Sequence, residues 1–151
     1  MEPTSHEAES LFPGRMFHIG VIVEDLERGM AEWSDMLGLR WRSLVSGVSE
    51  IHRGGVVTAM PILAVYSVDG PVYLELIALA RGTVWDVLGL HHVGYWSDDV
   101  AADIDRLVAR GASVEAQMQR DGKVLAAYLT FSMSRIELIA SASRERLVGA
   151  L

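Results

Sequence analysis

The spacing of apolar residues changes along the chain, and these changes predict its elements. Residues 16–23 form an apolar, β-branched run that is typical of a strand. Apolar residues then recur at helical spacing, with Asp25 as the predicted N-cap and Gly38 as the residue that ends the helix. The apolar stripe of this helix comprises Leu26, Met30, Trp33 and Leu37.

The second half of the chain repeats this order. Residues 91–96 predict a strand, Asp98 or Asp99 caps the following helix, and Gly111 ends it. Apolar strands follow each helix, and they include 61–68 and 71–79 in the first half and 123–131 and 135–140 in the second. We therefore predict an α+β fold made of two tandem βαβββ modules.

Individual residues repeat as well. His18 and Gly20 recur as His92 and Gly94, 74 residues later. Later in each module, Tyr66 matches Tyr128 and Glu75 matches Glu137, each pair 62 residues apart. Because this separation is 12 residues shorter than that of the histidines, the first module has 12 extra residues, which we place between residues 41 and 58.

The repeat also predicts the domain organisation. Modules of this length bury too little surface to be stable separately, so one cooperative domain is expected. The linker should dock on the modules through Val84, Trp85, Val87 and Leu88, because these apolar side chains would otherwise be exposed. The predicted segments are a flexible arm at 1–14, modules at 15–79 and 91–143, a linker at 80–90 and a tail at 144–151.

Composition excludes several classes of partner. The formal net charge of -7 and the lack of any Lys and Arg cluster argue against nucleic acid. No apolar run approaches the roughly 20 residues of a membrane span, and the first residues do not resemble a signal peptide. The chain has no cysteine, so disulfides and thiolate chemistry are excluded. We expect a cytoplasmic protein that acts on a small molecule.

Strand alternation predicts which side chains share a face. His18 should share one with Gly20, while Phe17 points to the opposite face and packs on the helix. In the second module His92 takes the place of His18, and His91 is expected to pack on the helix side.

Glu75 and Glu137 each lie within an apolar strand, where an unpaired carboxylate costs several kcal/mol to bury. Two imidazoles and two carboxylates suit one divalent ion such as Zn, Ni, Co, Mn or Fe. Two alternatives remain open, namely buried His–Glu hydrogen-bonded pairs and a cup that binds a ligand without metal. The predicted metal ligands are His18, Glu75, His92 and Glu137.

With these residues, the chain resembles the vicinal oxygen chelate superfamily, which includes lactoylglutathione lyase, methylmalonyl-CoA epimerase, extradiol dioxygenases, fosfomycin-resistance enzymes and bleomycin-binding proteins. The resemblance implies a curved mixed β-sheet cup with helices on its convex side and the four predicted ligands on its concave face. It also implies a homodimer. The segments that carry it are 17–26, 73–77, 89–96 and 135–139.

A carboxylate at Glu75 favours the lyase and epimerase branches, because dioxygenases and fosfomycin enzymes typically use three protein ligands. Neither branch matches fully: the epimerases usually carry Gln at that place, and the glutathione-binding basic residues of the lyases are not found here. The implied reaction is proton abstraction from a small oxo compound or acyl thioester through a metal-stabilised enediolate or enolate. Glu137 is the first candidate for the base, with Glu75 opposite, and their roles can be exchanged.

The substrate pocket has three candidate wall residues, because Tyr73, Trp96 and Arg135 share strand faces with the predicted ligands. Glu50 and His52 are candidates for a second base, but we favour the interpretation that both are solvated residues of a loop. Two other functions remain open: a ring-cleaving dioxygenase, and a metal-free drug- or metabolite-binding protein of the bleomycin-resistance type.

Overall fold

The computed structural model describes residues 15–149, so the predicted N-terminal arm and the last two residues of the tail lie outside it. The predicted α+β fold is confirmed, with two βαβββ modules in tandem. The elements of the first module are β1 (Met16–Val23), α1 (Leu26–Leu37), β2 (Val45–Arg53), β3 (Val56–Tyr66) and β4 (Tyr73–Ala78). The elements of the second are β5 (Gly89–Ser97), α2 (Val100–Val108), β6 (Ser113–Arg120), β7 (Lys123–Phe131) and β8 (Ser134–Ala140), followed by a 3₁₀ turn (Ser141–Ser143) and α3 (Arg144–Val148).

The strands form one curved mixed sheet in the order β1-β4-β3-β2-β6-β7-β8-β5. Within each module the first strand runs parallel to the last, β1 beside β4 and β5 beside β8. The modules join through antiparallel pairing of β1 with β5 and of β2 with β6, so the predicted cup also closes on itself as a barrel. These pairings bring the first and last strands of both modules together.

The two long helices pack on the convex side, as expected. Asp25 caps α1 by accepting a hydrogen bond from the Arg28 amide, and Gly38 ends it with a left-handed φ of 69°. Leu26 is buried against β1, β3 and β4, but Leu37 is 65% exposed and does not continue the predicted apolar stripe. In α2 the C-cap is Ala109 rather than the predicted Gly111.

The extra residues of the first module are spread more widely than we predicted. Helix α1 has 12 residues and α2 has nine, and the remainder lengthen the loop before β2 and the β2–β3 hairpin. The predicted range 41–58 therefore covers part of the extra residues, and sequence matching missed those that lengthen α1.

The barrel interior holds the main core. From the linker, Val84 and Trp85 are buried in it, whereas Val87 and Leu88 stay exposed, which corrects half of the docking prediction. Leu147 of α3 also packs there, so the predicted tail supplies part of the core. Among residues 15–149, no helix has the length and apolar character needed to span a membrane.

Two irregularities in β1–β5 pairing alter the predicted faces. The register shifts between Met16 and His18, and Phe17 therefore turns inward, where its ring stacks on Trp96 at 3.5 Å between ring centroids. A second shift falls opposite His91. Phe17 and His91 thus do not pack on the helices as predicted.

Candidate metal centre

The four predicted ligands meet inside the barrel. The β1–β5 pairing sets His18 opposite Gly94 and Gly20 opposite His92, and the parallel pairings place Glu75 and Glu137 beside the two glycines. The Nε2 atoms of His18 and His92 lie 2.8 Å apart. Each of these nitrogens lies 3.0 Å from Glu137 Oε2 and 3.2 Å from Glu75 Oε2.

The two glycines explain the His-x-Gly repeat. A Cβ atom on Gly94 would lie 1.8 Å from Cε1 of His18, and one on Gly20 would lie 2.0 Å from Cε1 of His92. Each histidine ring therefore occupies the space above the glycine of the other module. This exchange brings both Nε2 atoms to one point.

The donor set fits a divalent ion. All four side chains are buried, and Glu75 Oε2 accepts no well-aligned hydrogen bond although both imidazoles are near it. A tetrahedral ion with bonds of about 2.0–2.2 Å separates its donors by about 3.3–3.6 Å. The observed separations of 2.8–3.2 Å need only a small expansion to reach that value.

The charges of this cluster are strongly coupled. Burial lowers the pKa of His92, but attraction to Glu137 and Glu75 outweighs it and raises the pKa to about 9. The pKa of His18 is raised in the same way, against burial, chiefly by Glu75. Burial raises the pKa of both carboxyl groups, and the neighbouring imidazoles reverse this and lower it. The protonated imidazoles thus supply the positive charge that a metal ion would provide.

Two tyrosines that we did not place in the site lie next to the carboxylates. Tyr66 faces Glu75 across the β3–β4 pair, and Tyr128 faces Glu137 across the β7–β8 pair. Both are fully buried, and burial together with the carboxylates raises the pKa of each phenol. The repeat had aligned these tyrosines, and that alignment was the signal for their role.

The linker also reaches the site. Trp85 Nε1 donates a hydrogen bond of 3.0 Å to the hydroxyl of Tyr128. His91 lies between the linker and the site: its Nε2 is 2.8 Å from the Val84 carbonyl oxygen and its Nδ1 is 2.9 Å from Nδ1 of His92. Burial, with the charge of His92, lowers the pKa of His91 to about 4. His91 therefore belongs to the site's surroundings and not to the helix side.

A cavity of roughly 120 Å³ opens onto the two carboxylates. Its walls are mainly apolar and come from both modules and from α3, while Arg120 and Arg146 stand among its exposed lining residues. The apolar and aromatic lining includes Ile62, Tyr66, Ile77, Met118, Tyr128, Ile139 and Leu147.

The three predicted pocket walls lie elsewhere. Trp96 is stacked on Phe17 in the core, and Tyr73 packs at the core's edge. Arg135 is held by Glu115 through two hydrogen bonds of 2.6 and 2.9 Å, so its guanidinium is not free for a substrate in this cavity. None of the three is among the residues that line the cavity described above.

Glu50 and His52 are on strand β2 rather than in a loop. Their side chains form an exposed pair with each other, His52 Nε2 to Glu50 Oε1 at 2.5 Å. Neither lines the cavity.

A curved sheet of paired βαβββ modules, with His and Glu from both modules at its centre, defines a vicinal-oxygen-chelate-type protein. The chain belongs to the glyoxalase/bleomycin resistance protein/dioxygenase superfamily, whose sequence model matches residues 17–131. This confirms the resemblance seen in the sequence. No curated protein matches the chain.

Solved structures with this fold include methylmalonyl-CoA epimerases. A variant of the Streptomyces coelicolor enzyme, in complex with 2-nitronate-propionyl-CoA, is 19% identical with a TM-score of 0.59, covering 85% of this chain and 95% of that one. The Mycobacterium tuberculosis enzyme is 20% identical with a TM-score of 0.60, covering 88% and 91%. A hypothetical protein from Bacillus halodurans is 16% identical with a TM-score of 0.59, covering 84% and 94%. At these identities the similarity establishes the fold alone.

Proposed function

We propose that the protein is a divalent-metal-dependent enzyme of the lyase or isomerase/epimerase type. It removes a proton from the carbon next to a carbonyl in a small oxo compound or acyl thioester. The observation that carries this proposal is the convergence of four buried donors, whose His–His and His–Glu separations are 2.8–3.2 Å, beside a cavity that both carboxylates line. The proposed ligands are His18, Glu75, His92 and Glu137.

A divalent ion bound there would act as a Lewis acid that stabilises negative charge developing on a substrate oxygen. The chain's own residues would do the remaining work. Glu137 is the first candidate for the base, and Glu75 reaches the cavity from the other module, so the roles can be exchanged. Two carboxylates from different sides suit removal of a proton at one face and its return at the other.

The surroundings restrict the movement of these carboxylates. Tyr66 and Tyr128 lie beside Glu75 and Glu137, with raised pKa values that keep both phenols protonated as hydrogen-bond donors. The mainly apolar walls exclude water from the reacting carbon.

The cavity also indicates a class of substrate. Its apolar walls suit a short carbon chain, and the exposed guanidinium groups of Arg120 and Arg146 suit an anionic group at the opening. The epimerases with this fold act on a CoA thioester, which has both features, and this supports an acyl thioester as the first substrate class to test. A homodimer, from superfamily resemblance, and a cytoplasmic location, from the sequence pattern, are part of the same proposal.

The two other functions receive less support. A metal-free binding protein has no need for a buried cluster of four donors, and a dioxygenase of this superfamily leaves the carboxylate at Glu75 without a role. Oxygen uptake with an Fe(II)-loaded sample and a catechol tests the dioxygenase directly.

Exchange of the substrate proton with solvent tests the proposal. Metal-loaded protein is incubated in D₂O with 2-oxo compounds and with 2-substituted acyl thioesters, and NMR follows loss of the proton next to the carbonyl. We expect exchange with the wild type, a loss of about 100-fold or more in Glu137→Gln, a smaller loss in Glu75→Gln, and normal exchange in the matched control Glu50→Gln. Exchange that survives in both Glu137→Gln and Glu75→Gln would contradict the proposed bases.

A further inference from the structure

We propose that His91 is a positioning residue that, together with the linker carbonyl of Val84, fixes the proton and the orientation of the His92 ring. This inference rests on the proposed metal site. It goes beyond it by assigning a role to a residue that is not a ligand and to a segment that belongs to neither module.

The argument follows one chain of hydrogen bonds. The Val84 carbonyl can only accept, so His91 Nε2, at 2.8 Å, must donate to it. A neutral imidazole has one N–H, which leaves His91 Nδ1 as an acceptor. His92 Nδ1 lies 2.9 Å from that acceptor and must therefore donate. With Nδ1 committed to this donation, the nitrogen that loses its proton when a metal ion binds is Nε2, and the neutral His92 has its lone pair there.

The Nε2 atom of His92 faces the other three proposed metal ligands. His92 Nε2 is the atom within 3.0–3.2 Å of both carboxylates and 2.8 Å from the Nε2 of His18. A backbone carbonyl in the linker thus selects the ring nitrogen that faces the cluster. Second-sphere contacts of this kind hold the ligand ring in place and fix its tautomer.

The first module lacks this arrangement. Nδ1 of His18 is buried and has no hydrogen-bond partner among residues 15–149. Its ring is held instead by packing, with the rings of Phe17 and Tyr66 at centroid distances of 4.2 and 5.4 Å. The modules repeat, but the linker occurs once, so only one of the two histidines has a hydrogen-bond partner at Nδ1.

The same linker orients a second group of the second module. Next to Val84, Trp85 donates to the hydroxyl of Tyr128, which leaves that hydroxyl's own proton for Glu137. Adjacent linker residues therefore orient His92 and, through Tyr128, Glu137.

Zinc affinity of His91 variants tests this role. In His91→Phe the ring shape is kept and the acceptor is lost, so we expect zinc binding to weaken by about 10- to 100-fold. Asn places an oxygen near the position of His Nδ1, so His91→Asn should recover most of this loss. The exposed His52→Asn is the matched control and should bind zinc as the wild type does. Thermal melting of the metal-free variants shows that each one folds.

Two results would overturn the inference while leaving the metal site intact: wild-type affinity in His91→Phe, or a loss in His91→Asn as large as in His91→Phe. Uptake of no zinc by the wild type would instead refute the proposed function itself, and the inference with it.

The wild type alone provides a second test. In ¹⁵N-histidine-labelled, zinc-loaded protein, the side-chain NMR correlations of His91 should show a proton on Nε2 and none on Nδ1. The opposite tautomer would contradict the hydrogen-bond chain, whatever the variants do.

Discussion

Gly94→Ala tests the geometry of the centre without touching a ligand. The new Cβ would lie 1.8 Å from Cε1 and 2.1 Å from Nδ1 of His18, whereas ordinary van der Waals contact begins at 3.4 Å. The ring must therefore move by about 1.6 Å. It has no free space to enter, because it is fully buried and in contact with the rings of Phe17 and Tyr66.

Metal–ligand distances tolerate only about 0.2 Å of change, so a shift of this size removes His18 from the ligand set. We expect zinc affinity to fall by more than about 100-fold, since even second-sphere losses cost 10- to 100-fold. The metal-free protein should also lose about 1–3 kcal/mol of unfolding free energy through overpacking.

The assay is zinc titration against a chromophoric competitor, with thermal melting of the same samples. Gly122→Ala is the matched control: Gly122 has φ +73° in the β6–β7 turn, and a Cβ there would meet nothing within 4 Å. It should lose about 1 kcal/mol of stability and none of its zinc affinity. Zinc binding by folded Gly94→Ala at wild-type affinity would refute the reasoning.

Three further outcomes are expected. Zinc binding at pH 7–8 should release protons, because the pKa of metal-free His92 is about 9 and a metal ligand must be deprotonated at Nε2. Calorimetry in buffers of different ionisation enthalpy measures this release, and a binding heat that does not depend on the buffer would contradict it. Hydrogen bonds from Arg135 lower the pKa of Glu115 below 4.5, so their stabilisation is present above that pH and is lost as pH falls through the lower, folded-state pKa. In urea unfolding at pH 7 the free energy of unfolding of the wild type should exceed that of Glu115→Gln by about 0.5–1 kcal/mol, and the difference should shrink as the pH falls below 4.5. A difference that does not depend on pH would count against this account. Trp85→Phe should lower the free energy of unfolding by about 0.5–1.5 kcal/mol, because it removes the hydrogen-bond donor to Tyr128. Val87→Ala, at an exposed linker position, should change it little in the same assay, and equal effects of the two substitutions would contradict the role of that hydrogen bond.

The sequence predicted the fold and the four donors because their signals are local and repeated. Strand alternation assigned His18 and His92 to the inner face, and the second copy of each motif separated functional residues from chance. The matching glycines were visible in the sequence, but their purpose was not, since each one makes room for a ring from the other module.

Features that depend on pairing between distant strands were missed. Phe17 and His91 lie at register shifts that alternation cannot foresee, and both turned away from the predicted helix side. Arg135 shares the predicted face with Glu137, but Glu115, 20 residues earlier in the chain, binds its guanidinium. Trp85 reaches Tyr128 only because the linker docks inside the barrel.

Metal content is the most direct test of the central claim. Elemental analysis of protein purified without chelator or nickel resin should find near one equivalent of Zn, Ni, Co, Mn or Fe in the wild type. His92→Ala and Glu137→Ala should lose it, and the exposed-site control His52→Ala should keep it. A wild type that contains no metal and takes up none on titration would contradict the account and leave a metal-free binding protein as the better explanation of the fold.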